Sequence, residues 1–158
     1  MKLKSRTLFE WGMVLLIILV IMGVFGSKMR LMQGQIELAT FKSTLGSLRT
    51  AFVLEHLLIA VSSDEKGAPP LQRNPFLLLG QRPTNYAGRL DKVKLESVAP
   101  GNWVFDPMSN SVGYVLMNAQ FLETPANTTA VWFRVSGLPR PQQMTAIENY
   151  TWLGEVLQ

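Results

Sequence analysis

The chain has 158 residues, a formal net charge of +4 and no cysteine, so it forms neither disulfides nor thiolate metal sites. From residue 62 onward eight basic residues balance eight acidic ones, and the excess positive charge therefore belongs to the N-terminal part of the chain. Nucleic-acid binding needs a basic face on a folded domain, and a neutral domain of this kind argues against a nucleic-acid partner.

Residues 11–26 form an apolar segment that contains no charged side chain. As an α-helix it spans about 24 Å, slightly less than the ~30 Å hydrocarbon core of a bilayer. A cleaved secretory signal is the competing interpretation, but the helical pattern continues past residue 26 without a break, which favours an uncleaved anchor. We therefore predict a transmembrane helix over residues 11–26. The basic residues that flank it and are expected to contact lipid head groups are Lys2, Lys4, Arg6, Lys28 and Arg30.

Residues 27–61 are predicted to continue the anchor as an amphipathic helix. Large apolar residues recur at heptad-like spacing and form a stripe along one side of this helix. The stripe can pack on another helix in a bundle or filament, or on the protein's own domain. We expect both, with the C-terminal half of the stripe covered by the domain and the N-terminal half free. Its members are Leu31, Leu38, Phe41, Leu45, Leu48, Phe52 and Ile59.

Residues 62–158 read as a small α/β globular domain. A Pro- and Gly-rich stretch ends the helix, and candidate strands follow at residues 93–98, 102–105, 112–118 and 130–136. Residues 145–157 suggest a short amphipathic helix or a loosely held extension. The predicted class is α+β, in which a long N-terminal helix, half transmembrane and half amphipathic, packs on a small antiparallel sheet. The aromatic residues expected to form a small core under the sheet are Phe76, Tyr86, Trp103, Phe105 and Tyr114.

Neither the composition nor the motifs of the sequence indicate an enzyme. His56 is the only histidine, which excludes a His-pair metal site, and neither a glycine-rich phosphate loop nor a nucleophile elbow is present. We therefore predict no catalytic residue, no cofactor, no metal and no small-molecule substrate. The acidic pairs Asp64 with Glu65 and Asp106 with Glu123 are interpreted as surface charge.

Glu10 is the leading candidate for a functional residue. An acidic side chain at the edge of a membrane is costly unless it is paired, which makes it a functional candidate by default. Gly12 follows it by two residues, and small residues allow a second helix to approach closely in lipid. The sequence thus predicts helix association at Glu10 and Gly12, with residence of Glu10 among the lipid head groups as the alternative.

Several short motifs resemble the type IV pilin and pseudopilin family. Thr7-Leu8-Phe9-Glu10-Trp11 is similar to the threonine-leucine-isoleucine-glutamate start of the spanning helix in that family. Downstream, Asn-Pro-Phe at 74–76, Pro-x-Asn-Tyr-x-Gly at 83–88 and Pro-Gly-x-Trp-x-Phe-Asp at 100–106 are similar to pilin-like accessory proteins of mannose-sensitive haemagglutinin type pilus systems. The resemblance spans most of the chain.

The resemblance implies a pilin-like fold and a non-enzymatic role in pilus biogenesis or assembly. The expected partners are the lipid bilayer and other pilin-like or pilus and secretion machinery subunits. The expected location is the bacterial inner membrane, crossed once, with residues 1–10 cytoplasmic and the C-terminal domain periplasmic. An inner-membrane scaffold subunit of a type II secretion or type IV pilus machine is the alternative.

The chain departs from the family at the position of leader cleavage. Ser5 and Arg6 stand where the family has glycine followed by phenylalanine. A peptidase that requires the small glycine should process Ser5-Arg6 poorly, and Arg6 would be costly to draw into lipid. We therefore expect the N-terminus to be retained and not methylated.

Overall fold

The computed structural model describes residues 3–61, 74–91, 93–126, 128–136 and 143–157. The chain divides into two compact units, Met1–Ile36 and Glu37–Gln158. Each unit is described by itself below.

The first unit consists of the beginning of one long helix, α1, which runs from Leu3 to Val61. The sequence of α1 contains no proline and is rich in leucine, isoleucine and methionine, which favours an uninterrupted helix. The described side chains at positions 9–33 are all exposed, and most of them are apolar. By length and composition α1 can cross a membrane, and it is the one such helix in the described part of the chain.

The second unit contains two sheets and the rest of α1. The larger sheet has five strands in the order β1-β2-β3-β5-β6, and the smaller has three in the order β4-β7-β8. Every pair is antiparallel except β1 with β2, which is parallel. The strands are β1 Tyr86–Arg89, β2 Trp103–Asp106, β3 Ser111–Val115, β4 Leu122–Glu123, β5 Ala130–Ser136, β6 Gln143–Ala146, β7 Tyr150–Trp152 and β8 Glu155–Leu157. Short 3₁₀ helices cover Pro75–Leu77, Leu95–Ser97 and Ala119–Phe121.

One apolar core fills the second unit, and α1 supplies one wall of it. The buried side chains of the helix and those of both sheets belong to a single cluster. Within β5 the burial alternates along the strand, as expected when one face packs on a core and the other meets solvent. The predicted α+β class with a long N-terminal helix is therefore confirmed, and the sheet is mixed because of the β1–β2 pair.

The predicted strand at residues 93–98 is wrong. Leu95–Ser97 form a 3₁₀ turn, in which the Ser97 amide and hydroxyl both donate to the carbonyl oxygen of Lys94, at 3.0 and 2.7 Å. Serine side chains that bond to nearby backbone compete with sheet formation. The strand that pairs in parallel with β2 is instead β1, which the sequence pattern did not predict.

The predicted helix or loose extension over residues 145–157 is also wrong, because β7 and β8 form a hairpin there. Leu153 and Gly154 both have positive φ angles, of 51° and 80°, and this pair makes the tight turn between the two strands. Tyr150 and Trp152 point into the core on alternate positions of β7. Period-two burial of two large aromatic side chains explains why this segment is extended rather than helical.

Candidate functional site

The predicted association residues lie on exposed helix surface in the first unit. Glu10 and Gly12 are both exposed on α1. A Cβ atom added at Gly12 would meet no atom within 4 Å, and the same holds for Gly23 and Gly26. All three glycines therefore offer open helix surface that another helix can approach closely.

The predicted packing stripe is divided between different environments. Leu31 is exposed in the first unit, whereas the next five members lie buried in the core of the second unit. The side chain of Ile59 lies outside the described part of the structure. The buried members, which pack on the protein's own sheets, are Leu38, Phe41, Leu45, Leu48 and Phe52.

Phe41 lies at the centre of an aromatic cluster that joins α1 to both sheets. Its ring stacks on Trp103 of β2 with a centroid distance of 5.1 Å and an interplanar angle of 7°. Three further rings approach it at tilted angles, those of Tyr114, Phe133 and Trp152, at 5.3, 5.9 and 5.4 Å. Aromatic pairs in these geometries each contribute about 0.5–1.5 kcal/mol beyond the area they bury. Phe41 is thus the residue of α1 around which the aromatic side chains of both sheets pack.

The predicted aromatic core is confirmed. Phe76, Trp103, Phe105 and Tyr114 are buried in the core cluster, and Tyr86 packs against it half-buried.

Glu37 is a buried carboxylate that the sequence analysis did not single out. Only 6 % of its surface is exposed, and both of its oxygens accept hydrogen bonds. Oε1 accepts from the Met117 amide at 2.6 Å and from the Tyr114 hydroxyl at 3.2 Å. Oε2 accepts from the amide and the side-chain nitrogen of Asn118, at 3.2 and 3.0 Å. Four donors therefore converge on one side chain of α1.

The Glu37 carboxylate fixes the end of β3 and the residues that follow it against the helix. All of its donors lie within residues 114–118, which connect β3 to the 3₁₀ helix Ala119–Phe121. Burial raises the pKa of Tyr114 well above its ordinary value, and the nearby charge of Glu37 and the hydrogen bond to it act in the same direction. Hydrogen bonds to a charged group are about twice as strong as neutral ones, so this arrangement holds the segment firmly.

A signal for Glu37 exists in the spacing of the stripe. At 100° per residue, Glu37 projects from α1 within roughly 60° of Phe41, Leu48 and Phe52. The heptad pattern places it beside the stripe, whereas the true helical period places it on the buried face. An acidic residue in phase with a buried stripe indicates an internal carboxylate that accepts hydrogen bonds.

On the surface beside this core, α1 is tied to β8 by an ion pair and to β6 by a hydrogen bond next to a small cleft. Lys42 of α1 pairs with Glu155 of β8, and both side chains are about half exposed. Arg49 Nη2 donates to the carbonyl oxygen of Met144 at 3.3 Å, which ties α1 to β6. A cleft of about 250 Å³ opens there, lined by Arg49, Val53, Gln143, Met144 and Thr145.

The described residues contain no group of three or more His, Asp or Glu side chains placed to hold a metal ion. The Asp106 carboxylate is engaged in its own turn, where it accepts from the Met108 amide at 2.9 Å and the Ser109 hydroxyl at 2.5 Å. Asp64, Glu65 and the His56 side chain lie outside the described part of the structure.

Comparison with protein-family models, with curated proteins and with solved structures finds no match to this chain. The fold by itself defines the class of protein. It is an α+β domain whose core is completed by a long helix, and the N-terminal part of that helix is apolar.

Proposed function

We propose that this chain is a non-enzymatic, membrane-anchored, pilin-like component of a type IV pilus system of the mannose-sensitive haemagglutinin type, acting in biogenesis or assembly. The observation that supports this proposal best is the difference between the two parts of α1. Its early residues are apolar and exposed, while its residues from Glu37 onward complete the core of a sheet domain. In this proposal one continuous helix serves both as the membrane anchor and as one wall of the domain.

The proposed location is the bacterial inner membrane, crossed once, with residues 1–10 in the cytoplasm and the sheet domain in the periplasm. The chain offers a direct test because it contains no cysteine. Met108 is 92 % exposed in the turn between β2 and β3, so Met108→Cys should react with a membrane-impermeant maleimide in intact spheroplasts. Labelling that requires detergent would place the domain on the cytoplasmic side and contradict the proposal.

The proposed partners are other pilin-like or pilus-machinery subunits, contacted in the membrane through Glu10 and Gly12. Helices in lipid associate through close packing and polar groups, and Glu10 with its neighbouring glycine provides both. Replacing Glu10 with Leu should preserve insertion and weaken co-purification of the partners, and Glu10→Gln should give an intermediate loss if the partner group is ionic. Glu96→Leu, at an exposed position of the sheet domain, is the matched control.

If Glu10→Leu retains its partners as fully as Glu96→Leu does, the filament-type role is wrong and an inner-membrane scaffold subunit takes its place. The intact mass of the protein from native membranes provides an independent test. We expect the mass of the chain with residues 1–5 present and no methyl group on residue 6, because Ser5-Arg6 is a poor leader-cleavage site. Loss of those five residues would show ordinary prepilin processing.

A further inference from the structure

The three short motifs at residues 74–76, 83–88 and 100–106 lie together in the folded domain, although they are separate in the sequence. Six of their residues form one connected set of hydrogen bonds and ring contacts, which we name the motif clasp. Each motif contacts the other two within this set. The motif clasp consists of Asn74, Phe76, Asn85, Tyr86, Gly101 and Trp103.

Asn74 joins the first motif to the second. Its side chain is buried, and it uses both ends of its amide group. Oδ1 accepts from the Phe76 amide at 3.1 Å, and Nδ2 donates to the hydroxyl oxygen of Tyr86 at 2.6 Å. The rings of Phe76 and Tyr86 also stack, with centroids 4.2 Å apart and an interplanar angle of 25°. Asn74 is therefore more than a local cap of the 3₁₀ helix Pro75–Leu77, because it also fixes a side chain of β1.

Asn85 and Trp103 join the second motif to the third. Asn85 Nδ2 donates to the carbonyl oxygen of Gly101 at 2.7 Å, and the Trp103 amide donates to the carbonyl oxygen of Asn85 at 2.8 Å. Gly101 has a φ angle of 84°, a conformation that favours glycine. The ring of Phe76 completes the set by approaching that of Trp103, with a centroid distance of 6.0 Å and an interplanar angle of 58°. Two asparagine side chains and three rings therefore belong to one set of contacts.

Side chains, rather than sheet pairing, attach residues 74–85 to the domain. Over these residues, all of which the structure describes, the chain forms one 3₁₀ helix and no strand. Phe76 is nevertheless fully buried, next to Trp103. The ring of Trp103 in turn stacks on Phe41 of α1 with a centroid distance of 5.1 Å. The clasp therefore includes the ring on which α1 stacks.

We propose that the motif clasp is a conformational device that sets the position of Trp103 for Phe41, so that residues 74–86 and the contact between α1 and β2 are held or released together. A separate role for each motif, as a local cap or turn, is the alternative. The two differ measurably, because residues that share partners have coupled effects on stability, whereas the effects of independent sites add. The inference concerns the second unit alone and does not depend on the proposed function.

The test is a double-mutant cycle in the full chain, measured by chemical unfolding in detergent. Asn74→Ala and Asn85→Ala remove the side-chain bonds at the two ends of the clasp, and each should raise the unfolding constant by roughly tenfold. Combining them should raise it clearly less than the roughly hundredfold expected for independent sites. The reason is that release of one end leaves little for the other end to hold.

Asn110, in the turn between β2 and β3, provides the matched control. Its Nδ2 donates to the carbonyl oxygen of Val135 at 2.8 Å, which is the same kind of bond as that of Asn85 but lies outside the clasp. Since Asn110 has a φ angle of 50°, it is replaced by glycine, which tolerates this conformation. Asn74→Ala combined with Asn110→Gly should multiply the two separate effects on the unfolding constant.

A second measurement follows Trp103 directly and uses a milder variant. Tyr86→Phe removes the hydroxyl that Asn74 contacts and keeps the ring that stacks on Phe76. With isotope-labelled tryptophan, nuclear magnetic resonance gives one indole N–H signal for each of the four tryptophans, and Trp103→Phe identifies the signal of Trp103. Tyr86→Phe should shift the Trp103 signal and leave that of Trp132, on β5, in place.

Multiplied effects of Asn74→Ala and Asn85→Ala, or an unmoved Trp103 signal in Tyr86→Phe, would overturn the inference. Equal shifts of the Trp103 and Trp132 signals would also overturn it, because they would show a general loosening of the domain. Coupling confined to the clasp pair, together with a shift confined to Trp103, would support it.

Discussion

Replacing Glu37 with Gln keeps the size and shape of the side chain, yet it should destabilise the sheet domain. Each carboxylate oxygen accepts one backbone N–H, from Met117 or Asn118, and one side-chain donor, the Tyr114 hydroxyl or the Asn118 amide. The side-chain donors can turn to accept from the new NH₂ group, but the backbone N–H cannot, so either orientation of the amide leaves one backbone donor without an acceptor. Leaving a buried donor without an acceptor costs about 1–3 kcal/mol. Because three of the four bonds are only partly buried, water relieves part of this cost, and the expected loss is about 1–3 kcal/mol.

Glu155→Gln is the matched control for this prediction. It makes the same chemical change in an ion pair with Lys42, where both side chains are about half exposed. Surface pairs of this kind contribute about 0–1 kcal/mol, so the control should unfold almost as the parent does. The comparison therefore separates the burial of the carboxylate from the loss of its charge.

The assay is thermal unfolding of the full chain in detergent, followed by near-ultraviolet circular dichroism. Tyr114 belongs to the aromatic cluster around Phe41, so this signal reports the packing that Glu37 supports. A loss of about 1–3 kcal/mol should lower the melting temperature by roughly 4–12 °C. Combining Glu37→Gln with Tyr114→Phe should cost less than the sum of the two changes, because they share one hydrogen bond. Equal melting temperatures for Glu37→Gln and Glu155→Gln would refute the reasoning.

Three further predictions concern the same domain. Phe52 is 2 % exposed, so Phe52→Ala should lower the free energy of chemical unfolding by about 3–5 kcal/mol. Val53→Ala, on the exposed side of α1, should lower it far less, and similar losses for the two variants would contradict the assigned burial. Burial raises the pKa of Tyr114 above its unfolded value near 10, so its contribution to stability should be complete below about pH 10 and be lost as the pH rises further. Tyr114→Phe should flatten that alkaline decline in urea titrations, and an unchanged slope would argue against it. Gly113→Ala should cost about 1–3 kcal/mol in the same titrations, since a Cβ there would lie 2.6 Å from the Trp132 ring; a neutral effect would mean that the ring moves aside freely.

The long helix and the aromatic core could be predicted from sequence because each depends on a strong local pattern. Proline-free apolar periodicity defines α1, and large aromatic residues between turn signals become core almost wherever the strands lie. The strand predicted over residues 130–136 has the bounds of β5, because apolar and more exposed positions alternate from Val131 onward. These features need no knowledge of which elements become neighbours.

The features that were missed depend on distant partners. Glu37 becomes an internal group only because residues 114–118 return to it, and the sequence around Glu37 does not contain those donors. The parallel pairing of β1 with β2 likewise depends on how the intervening chain folds back. The β7–β8 hairpin carried a weak signal, alternating aromatic residues followed by a glycine, which was too short to outweigh a helical interpretation.

The contact between Phe41 and Trp152 has a consequence for how the protein is made. It joins a residue near the start of the domain to one in its penultimate strand, with their ring centroids 5.4 Å apart. During synthesis α1 leaves the ribosome first, and its apolar side stays uncovered until the strands that pack on it have been made. Loop closure over so long a stretch of chain is slow, and exposed apolar surface invites aggregation in the meantime. Until β7 has been made, the apolar side of α1 is therefore open to aggregation.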